Sequence, residues 1–299
     1  MNHLRVYRYI DAISRAGSIR QAAEKLAITP SALNRRVIAL EHELGVEIFE
    51  RLGRGVRLST AGELLVDAMR KHLAETEVLK SRIADLSGLR RGHVSVACSQ
   101  AVLPHFLPDQ IQIYQETFPD VTFSVFNHDG SEAAEALLNY TVDLAVVFEP
   151  MRHAEFHTAF AIPQPIHAYM AAGHPLAAKP KVSFSDCLEY PLALPNERYA
   201  VRQTVENLAN RISFRLHPAI EADSYVLLQR YVVRSNAIAF ELQIGLPHLS
   251  SQALVSRPIS LPQSALGRLN LVHLKGRTLP VASARFAQQL TEALDDLVA

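Results

Sequence analysis

Arg51, Arg54 and Arg57 stand three residues apart in "ERLGRGVRL", beside glycines that offer nothing to pack against. Guanidinium groups in that setting suit phosphates or a narrow minor groove. Upstream, "TPSALNRR" carries Ser31, Asn34, Arg35 and Arg36, side chains of the kind that reach base edges. Arginine can pair with guanine O6 and N7, and asparagine with adenine. Ser99, Gln100, Asn127, Phe148, Asn196, Asp223 and Ser224 form a second set, suited to holding a small polar molecule. Both sets bind rather than react. The chain has no HExxH, CxxC or GxSxG motif, its 13 histidines are scattered, and no glycine-rich phosphate loop follows the first strand pattern. No catalytic residue, metal ligand or cofactor is therefore assigned. Cys98 lies in an apolar strand pattern and reads as a buried structural thiol.

Three short helices must position the first set. Val6, Ile10 and Ile13 mark one helical face, which ends at Ala16-Gly17. Ser18 and Gln21 have capping-box spacing, so Ser18 should open the second helix. Thr29 can cap a third helix, with Pro30 where a missing N–H costs nothing. In that helix Leu33, Val37, Leu40 and Leu44 step by four, three and four and should be buried. Ser31, Asn34, Arg35 and Ile38 fall opposite. Gly45 stops the helix. "VEIFERLGRGVRLST" then alternates around a "GRG" turn, a hairpin wing carrying the three arginines. Helix, turn, capped basic helix and basic wing make a winged helix-turn-helix over residues 1–60, whose partner is double-stranded DNA.

Thr60 and Glu63 form a second capping-box spacing, which predicts a long helix to about Leu86. Leu65, Met69, His72, Thr76, Leu79, Ile83 and Leu86 step by four and three, as in a coiled-coil seam. That pattern predicts dimerisation through residues 61–91, where "SGLRRGH" closes the segment as a hinge.

From His93 the pattern changes to strands alternating with helices: "HVSVACS", a helix from Pro104 to Phe118, "VTFSVFN", a helix from Ser131 to Tyr140, and "VDLAVVF". Units of this size predict a parallel sheet with right-handed crossovers. "IPQPIHAYMAAGHPLA" reads as a crossover to a second lobe. "RLNLVHLK" should return to the first lobe, and Ser283 to Val298 forms a C-terminal helix. Residues 92–299 thus divide into lobe I (about 92–163 and 267–299) and lobe II (about 164–266). Ligands of such sheets sit at the carboxyl ends of the strands. Those ends are Ser99-Gln100, Asn127-His128, Phe148-Glu149, Asn196 and Asp223-Ser224. Because Ser99 and Gln100 precede a helix pattern, an anion such as a carboxylate is expected there.

Composition agrees with two parts of different character. Net charge is zero over 299 residues, but residues 1–92 hold 16 lysines and arginines against 11 acids, and residues 93–299 hold 14 against 19. A basic head on an acidic body suggests a polyanion partner for the head only. There is no run of about 18 apolar residues and no signal-peptide pattern, and two cysteines fit a reducing compartment, so a cytoplasmic protein is expected.

The stretch "GSIRQAAEKLAITPSALNRRVIALEHELGVEIFERLGRGVRLSTAGE" resembles the LysR-type transcriptional regulators, with a small-residue helix, a proline-started recognition helix, "ALE..LG...F.R", and a wing followed by "AG". In the body "FP", "DLAVV" and "HPLA" extend the likeness. The resemblance implies an α/β protein with a winged helix-turn-helix, a long linker helix and a two-lobed periplasmic-binding-protein-like (type 2) effector domain. It implies a homodimer or homotetramer that bends DNA in response to a small-molecule effector between the lobes, with RNA polymerase as a further partner. By motif position Thr29, Pro30, Ser31, Asn34 and Arg35 face the major groove and Arg54 the minor groove. Ser18, Arg36, Arg51 and Arg57 complete the expected contacts. Ser99 and Gln100, with Phe148, Asn196 and Asp223, carry over as effector positions. One departure is "RSNAIAF", where Ser235 and Asn236 stand in place of common glycines. An enzyme on the α/β body and a transporter's solute-binding protein are the alternative readings. The missing catalytic motifs oppose the first, and the DNA-binding head opposes the second.

Overall fold

A computed structural model describes residues 2–86, 91–148, 154–246, 253–261 and 267–297. The chain separates into two compact units, Met1–Gly88 and Leu89–Ala299.

The first unit contains α1 (Asn2–Ala16), α2 (Ile19–Lys25), α3 (Pro30–Leu44), the hairpin of β1 (Phe49–Arg51) and β2 (Val56–Leu58), and α4 (Thr60–Leu86). Ser18 caps α2 by accepting the Gln21 N–H, and Thr29 caps α3 by accepting the Ala32 N–H. Gly45 ends α3 at φ 69°, a left-handed position that suits glycine. Ile10, Ile13, Ala22, Ala23, Leu33, Val37, Ile48 and Phe49 form the core. The small alanines of α2 let three helices approach closely.

Two expectations for α4 need correction. Ser59, not Thr60, caps it: the Ser59 hydroxyl accepts the Gly62 N–H, and Thr60 is already helical. The expected seam is also divided. Met69 is buried in the head's own core and Leu65 packs against it, whereas Leu79, Ile83 and Leu86 are exposed. His72 is exposed and tilts toward the Tyr7 ring. Heptad spacing alone cannot distinguish an intramolecular face from an intermolecular one, because both repeat every three or four residues. Arg70 fixes α4 to α1 through a 2.6 Å ion pair with Asp11, both largely buried. Of the predicted hinge, Ser87–Arg90 lies outside the described residues.

The second unit builds two five-stranded sheets. Lobe I contains β3 (Arg91–Cys98), α5 (Phe106–Thr117), β4 (Asp120–Asn127), α6 (Gly130–Leu138), β5 (Leu144–Phe148) and β6 (Phe156–Gln164). Lobe II contains β7 (Ile166–Ala171), α7 (Phe184–Leu188), β8 (Leu192–Pro195), α8 (Ala200–Arg211), β9 (Pro218–Ala222), α9 (Tyr225–Val233), β10 (Ile238–Leu242) and β11 (Leu254–Pro258). The chain then returns to lobe I with β12 (Gly267–Leu274) and α10 (Val281–Asp296). The strand orders are β4-β3-β5-β12-β6 and β11-β7-β10-β8-β9. The parallel expectation holds for β4-β3-β5 and β9-β8-β10 only. Strands β12 and β6, like β7 and β11, run antiparallel to their neighbours. Local strand-helix-strand pattern predicts the parallel half, but the antiparallel strands are made by chain that crosses between lobes. Pro163 is tolerated in β6 because that strand is an edge.

Apolar residues cover both faces of each sheet. In lobe I, Val94, Val96 and Cys98 face α5 and α10, while Ala97, Ala145 and Val147 face α6. Asp143, buried beneath α10, accepts hydrogen bonds from Ser95, Ser283 and Arg277. The "RSNAIAF" turn uses no left-handed backbone. Instead the Ser235 hydroxyl accepts the Ala237 N–H and donates to the Tyr231 carbonyl.

Ala27, in the turn between α2 and α3, has φ 54°. The left-handed penalty for a residue with a Cβ is about 1–2 kcal/mol, larger than the roughly 0.5–1 kcal/mol that glycine loses through the unfolded chain. Ala27→Gly should therefore raise the urea midpoint of the head by up to about 1 kcal/mol in stability. An unchanged or lower midpoint would exclude strain at this turn.

Candidate DNA interface and effector cleft

The outer face of α3 presents Ser31, Arg35 and Arg36 to solvent, with Asn34 half-buried beside them. Thr29 and Pro30 are exposed at its start, and the Thr29 and Ser31 hydroxyls lie 3.3 Å apart. Ser18 is partly buried and serves as the α2 cap. The α3 N-terminus thus carries short polar groups flanked by two cations.

Sequence pattern did not reveal how the wing is held. The Glu41 carboxylate, on the inner side of α3, accepts the Ile48 N–H at 2.8 Å and the Phe49 N–H at 3.2 Å. At the tip, the Val56 N–H donates to the Gly17 carbonyl at 2.9 Å. A Cβ on Gly55, which has φ 86°, would fall on that same carbonyl oxygen. One wing limb is therefore tied to α3 and the other to the α1–α2 turn. The Arg51 and Arg54 side chains are exposed and make no ion pair or hydrogen bond among the described residues. Arg57 pairs with Glu50 at 2.7 Å across the hairpin. An exposed pair of this kind is worth about 0–1 kcal/mol, so a phosphate can compete for Arg57.

In the second unit, the expected effector residues gather at the carboxyl ends of the strands. Ser99 is buried at the end of β3; its hydroxyl accepts the Phe148 N–H at 3.0 Å and donates to Asp129. The Gln100 side-chain carbonyl accepts from the Asn127 amide at 2.7 Å. Phe148 itself is buried in the core. From lobe II, Asn196 donates to Asp223, and Ser224 caps α9. The structure therefore forms two groups: Ser99, Gln100, Asn127 and Phe148 in lobe I, and Asn196, Asp223 and Ser224 in lobe II. Glu149 lies outside the described residues.

Residues that sequence reasoning missed complete the cleft. Asp129 opens α6, yet its side chain makes no capping bond and turns to Ser99. Burial raises its pKa, as does Glu132, while the Ser99 bond and Arg198 pull it down. Glu241 is buried in β10; burial pushes its carboxyl up to about 8 against the Leu242 N–H bond, and the charge of Asp129 adds to the rise. Tyr199 and Tyr225 meet edge to face at 5.7 Å, and Arg198 lies over the Tyr199 ring. A lone carboxylate in "AIAFELQIG" was the one available signal for Glu241. Cys98 is buried and its thiol is pushed up to about 12, first by burial and then by Asp129, which keeps it protonated and inert.

Comparison with known proteins decides the family. Residues 4–63 match the bacterial regulatory helix-turn-helix protein, lysR family, and residues 87–295 match the LysR substrate binding domain. The chain belongs to the LysR family. It is 24% identical to the transcriptional activator CmpR of Synechocystis over 88% of this chain and 84% of that protein. It is 28% identical to the regulator CysB of Burkholderia cenocepacia, over 69% and 66%. Among solved structures, full-length OxyR from Pseudomonas aeruginosa superposes with a TM-score of 0.72 at 21% identity, covering 97% of this chain and 94% of that one. Full-length CbnR complexed with its target DNA gives a TM-score of 0.63 at 18% identity, covering 97% and 99%. The protein is thus a LysR-type DNA-binding transcriptional regulator with an effector-binding domain, and not an enzyme. No helix among the described residues is long and apolar enough to cross a membrane.

The Glu241 carboxyl titrates near 4.5 when unfolded and at about 8 when folded. Its contribution to stability is full below the lower value and is lost as pH rises through the upper one. The melting temperature should therefore fall between pH 5 and pH 8.5, and Glu241→Gln should flatten that fall. Parallel wild-type and variant curves would show that Glu241 does not titrate in this range.

Proposed function

We propose that this regulator reads its operator with α3, grips the flanking backbone with the wing, and changes its posture on DNA when a small molecule enters the cleft between the lobes. One observation carries the DNA assignment. Four arginines, Arg35, Arg36, Arg51 and Arg54, project from α3 and the wing without a partner among the described residues. On the wing itself Arg57 is paired with Glu50, and on the other helices Arg8, Arg15, Arg20 and Arg70 are engaged with carboxylates. Thr29, Pro30, Ser31 and Asn34 complete the major-groove face, and Ser18 orients α2 beside it. Such a regulator works where the DNA is, in the cytoplasm, and contact with RNA polymerase belongs to the same reading.

Dimerisation is proposed through α4. Leu64, Leu79, Ile83 and Leu86 are exposed, and at roughly 100° per residue they share one helix face. Paired heads would then address paired half-sites, and two dimers would make the homotetramer. Leu65 and Met69 support this seam indirectly, by fixing α4 to the head.

The effector residues proposed are Ser99, Gln100, Asn127 and Phe148 with Asn196, Asp223 and Ser224. A carboxylate effector at Ser99 would have to displace Asp129 or meet it protonated, because that hydroxyl already donates to Asp129.

An operator can be recovered by selection from random-sequence DNA. On it, Arg35→Ala should cost about 1–3 kcal/mol and relax one base position. Unchanged affinity and selectivity would remove α3 from the major groove. Arg54→Ala should weaken all sequences alike and lower the salt slope by about one. A constant slope would take the wing off the phosphates.

A further inference from the structure

We propose that the effector is an organic cation, a small amine or guanidinium compound, held between Asp129 of lobe I and Glu241 of lobe II. The proposal rests on the reading of this cleft as the effector site and names its chemical class. Both carboxylates flank one turn. Asp129 accepts from Ser99. A Cβ on Gly245 would stand 2.8 Å from the Ala101 carbonyl oxygen and 2.9 Å from the Glu241 carboxyl carbon, so Glu241 lies against the same Ser99–Ala101 turn. Glu241 is 2% exposed, and among the described residues its carboxylate accepts from the Leu242 N–H and makes no ion pair.

A second observation points to a missing partner. The Tyr169 hydroxyl is buried and has no hydrogen-bond partner among the described residues. Tyr169 pairs with Ala239 in the β7–β10 ladder, two residues from Glu241 and on the same sheet face. The Glu241 charge acts on both the Tyr169 and Tyr225 hydroxyls.

The surrounding charges favour a cation. Asp129, Glu132, Asp223 and Glu241 are acidic. Arg198 is exposed, 3.8 Å from Asp223 and hydrogen-bonded to Tyr199, and its charge also reaches Asp129, so four acids face one arginine. His167, opposite Glu241 in the ladder, has its pKa lowered by burial, and its Nδ1 also lacks a partner among the described residues. An anion entering here would meet like charge at low dielectric. A cation would neutralise two buried carboxylates and gain an aromatic wall from Tyr199 and Tyr225.

The test uses the full chain in thermal-shift and calorimetric titrations at constant ionic strength. The probes are putrescine, agmatine and L-arginine, with succinate and benzoate as carboxylate counterparts. At least one amine should raise Tm by several degrees and bind more tightly as pH rises from 6.5 to 8.5, because Glu241 must be ionised. Glu241→Gln and Asp129→Asn should each weaken that binding at least tenfold. Both changes keep side-chain shape and remove an acid that burial disfavours, so both variants should fold. Carboxylates shifting Tm in place of the amines, with the shift lost in Ser99→Ala, would overturn the cation class while leaving the effector cleft intact. No amine shifting Tm, or shifts that survive both variants, would also overturn it. Amine binding that leaves operator affinity unchanged would support the ligand class and count against the regulatory reading instead.

Discussion

The effector domain depends on the contacts made where the chain passes from lobe I to lobe II. That passage is Gln164-Pro165, between β6 and β7. Beside it runs the turn Gln243–Gly245, whose backbone bonds to it: Gln243 N–H to the Pro165 carbonyl, and Ile244 N–H to the Gln164 side chain. Gly245 then touches the Ala101 backbone, where a Cβ would not fit. These contacts bring the ends of β3 and β10 together. Ser99, Gln100 and Glu241 belong to the strand ends at that junction.

In the head, the corresponding constraint is the Glu41 carboxylate. The hairpin packs Ile48 and Phe49 into the same core as Leu33 and Val37 of α3, and a directional interaction fixes its orientation. Two backbone N–H groups donating to one carboxylate supply it, since charge-assisted bonds are stronger than neutral ones. The arginines of α3 and the wing then act as one surface with a fixed spacing. The Val56–Gly17 bond sets the other end of the hairpin, and glycine at position 55 permits that approach.

The acidic cleft also has a cost. Burial disfavours both the Asp129 and the Glu241 charge, and the charge of Asp129 raises Glu241 further. The surrounding fold is packed well enough to tolerate this: lobe II buries Ala193, Ala239, Leu228 and Val232 on the same sheet face. A buried carboxyl such as Glu241, with no ion pair among the described residues, is a departure from the rule that interior charges are compensated, and such departures concentrate at functional sites.

The sequence by itself determined the head and the order of elements in the body. Capping residues at Ser18 and Thr29, Pro30 inside α3 and Gly45 beyond it are local signals, and local hydrogen bonding answers to them. The alternating strands and helices of lobe I were legible for the same reason. Only the tertiary structure decided which face of α4 is spent inside the head, since Leu65 and Leu79 obey the same spacing but meet different surroundings. It alone set β12 and β6 antiparallel, because a strand's direction depends on where the chain re-enters the lobe. It also placed Asp129 on Ser99 and Glu241 beside Ala101. Ser99 and Ala101 lie thirty or more residues from those carboxylates, and no periodicity in the chain records how two lobes meet.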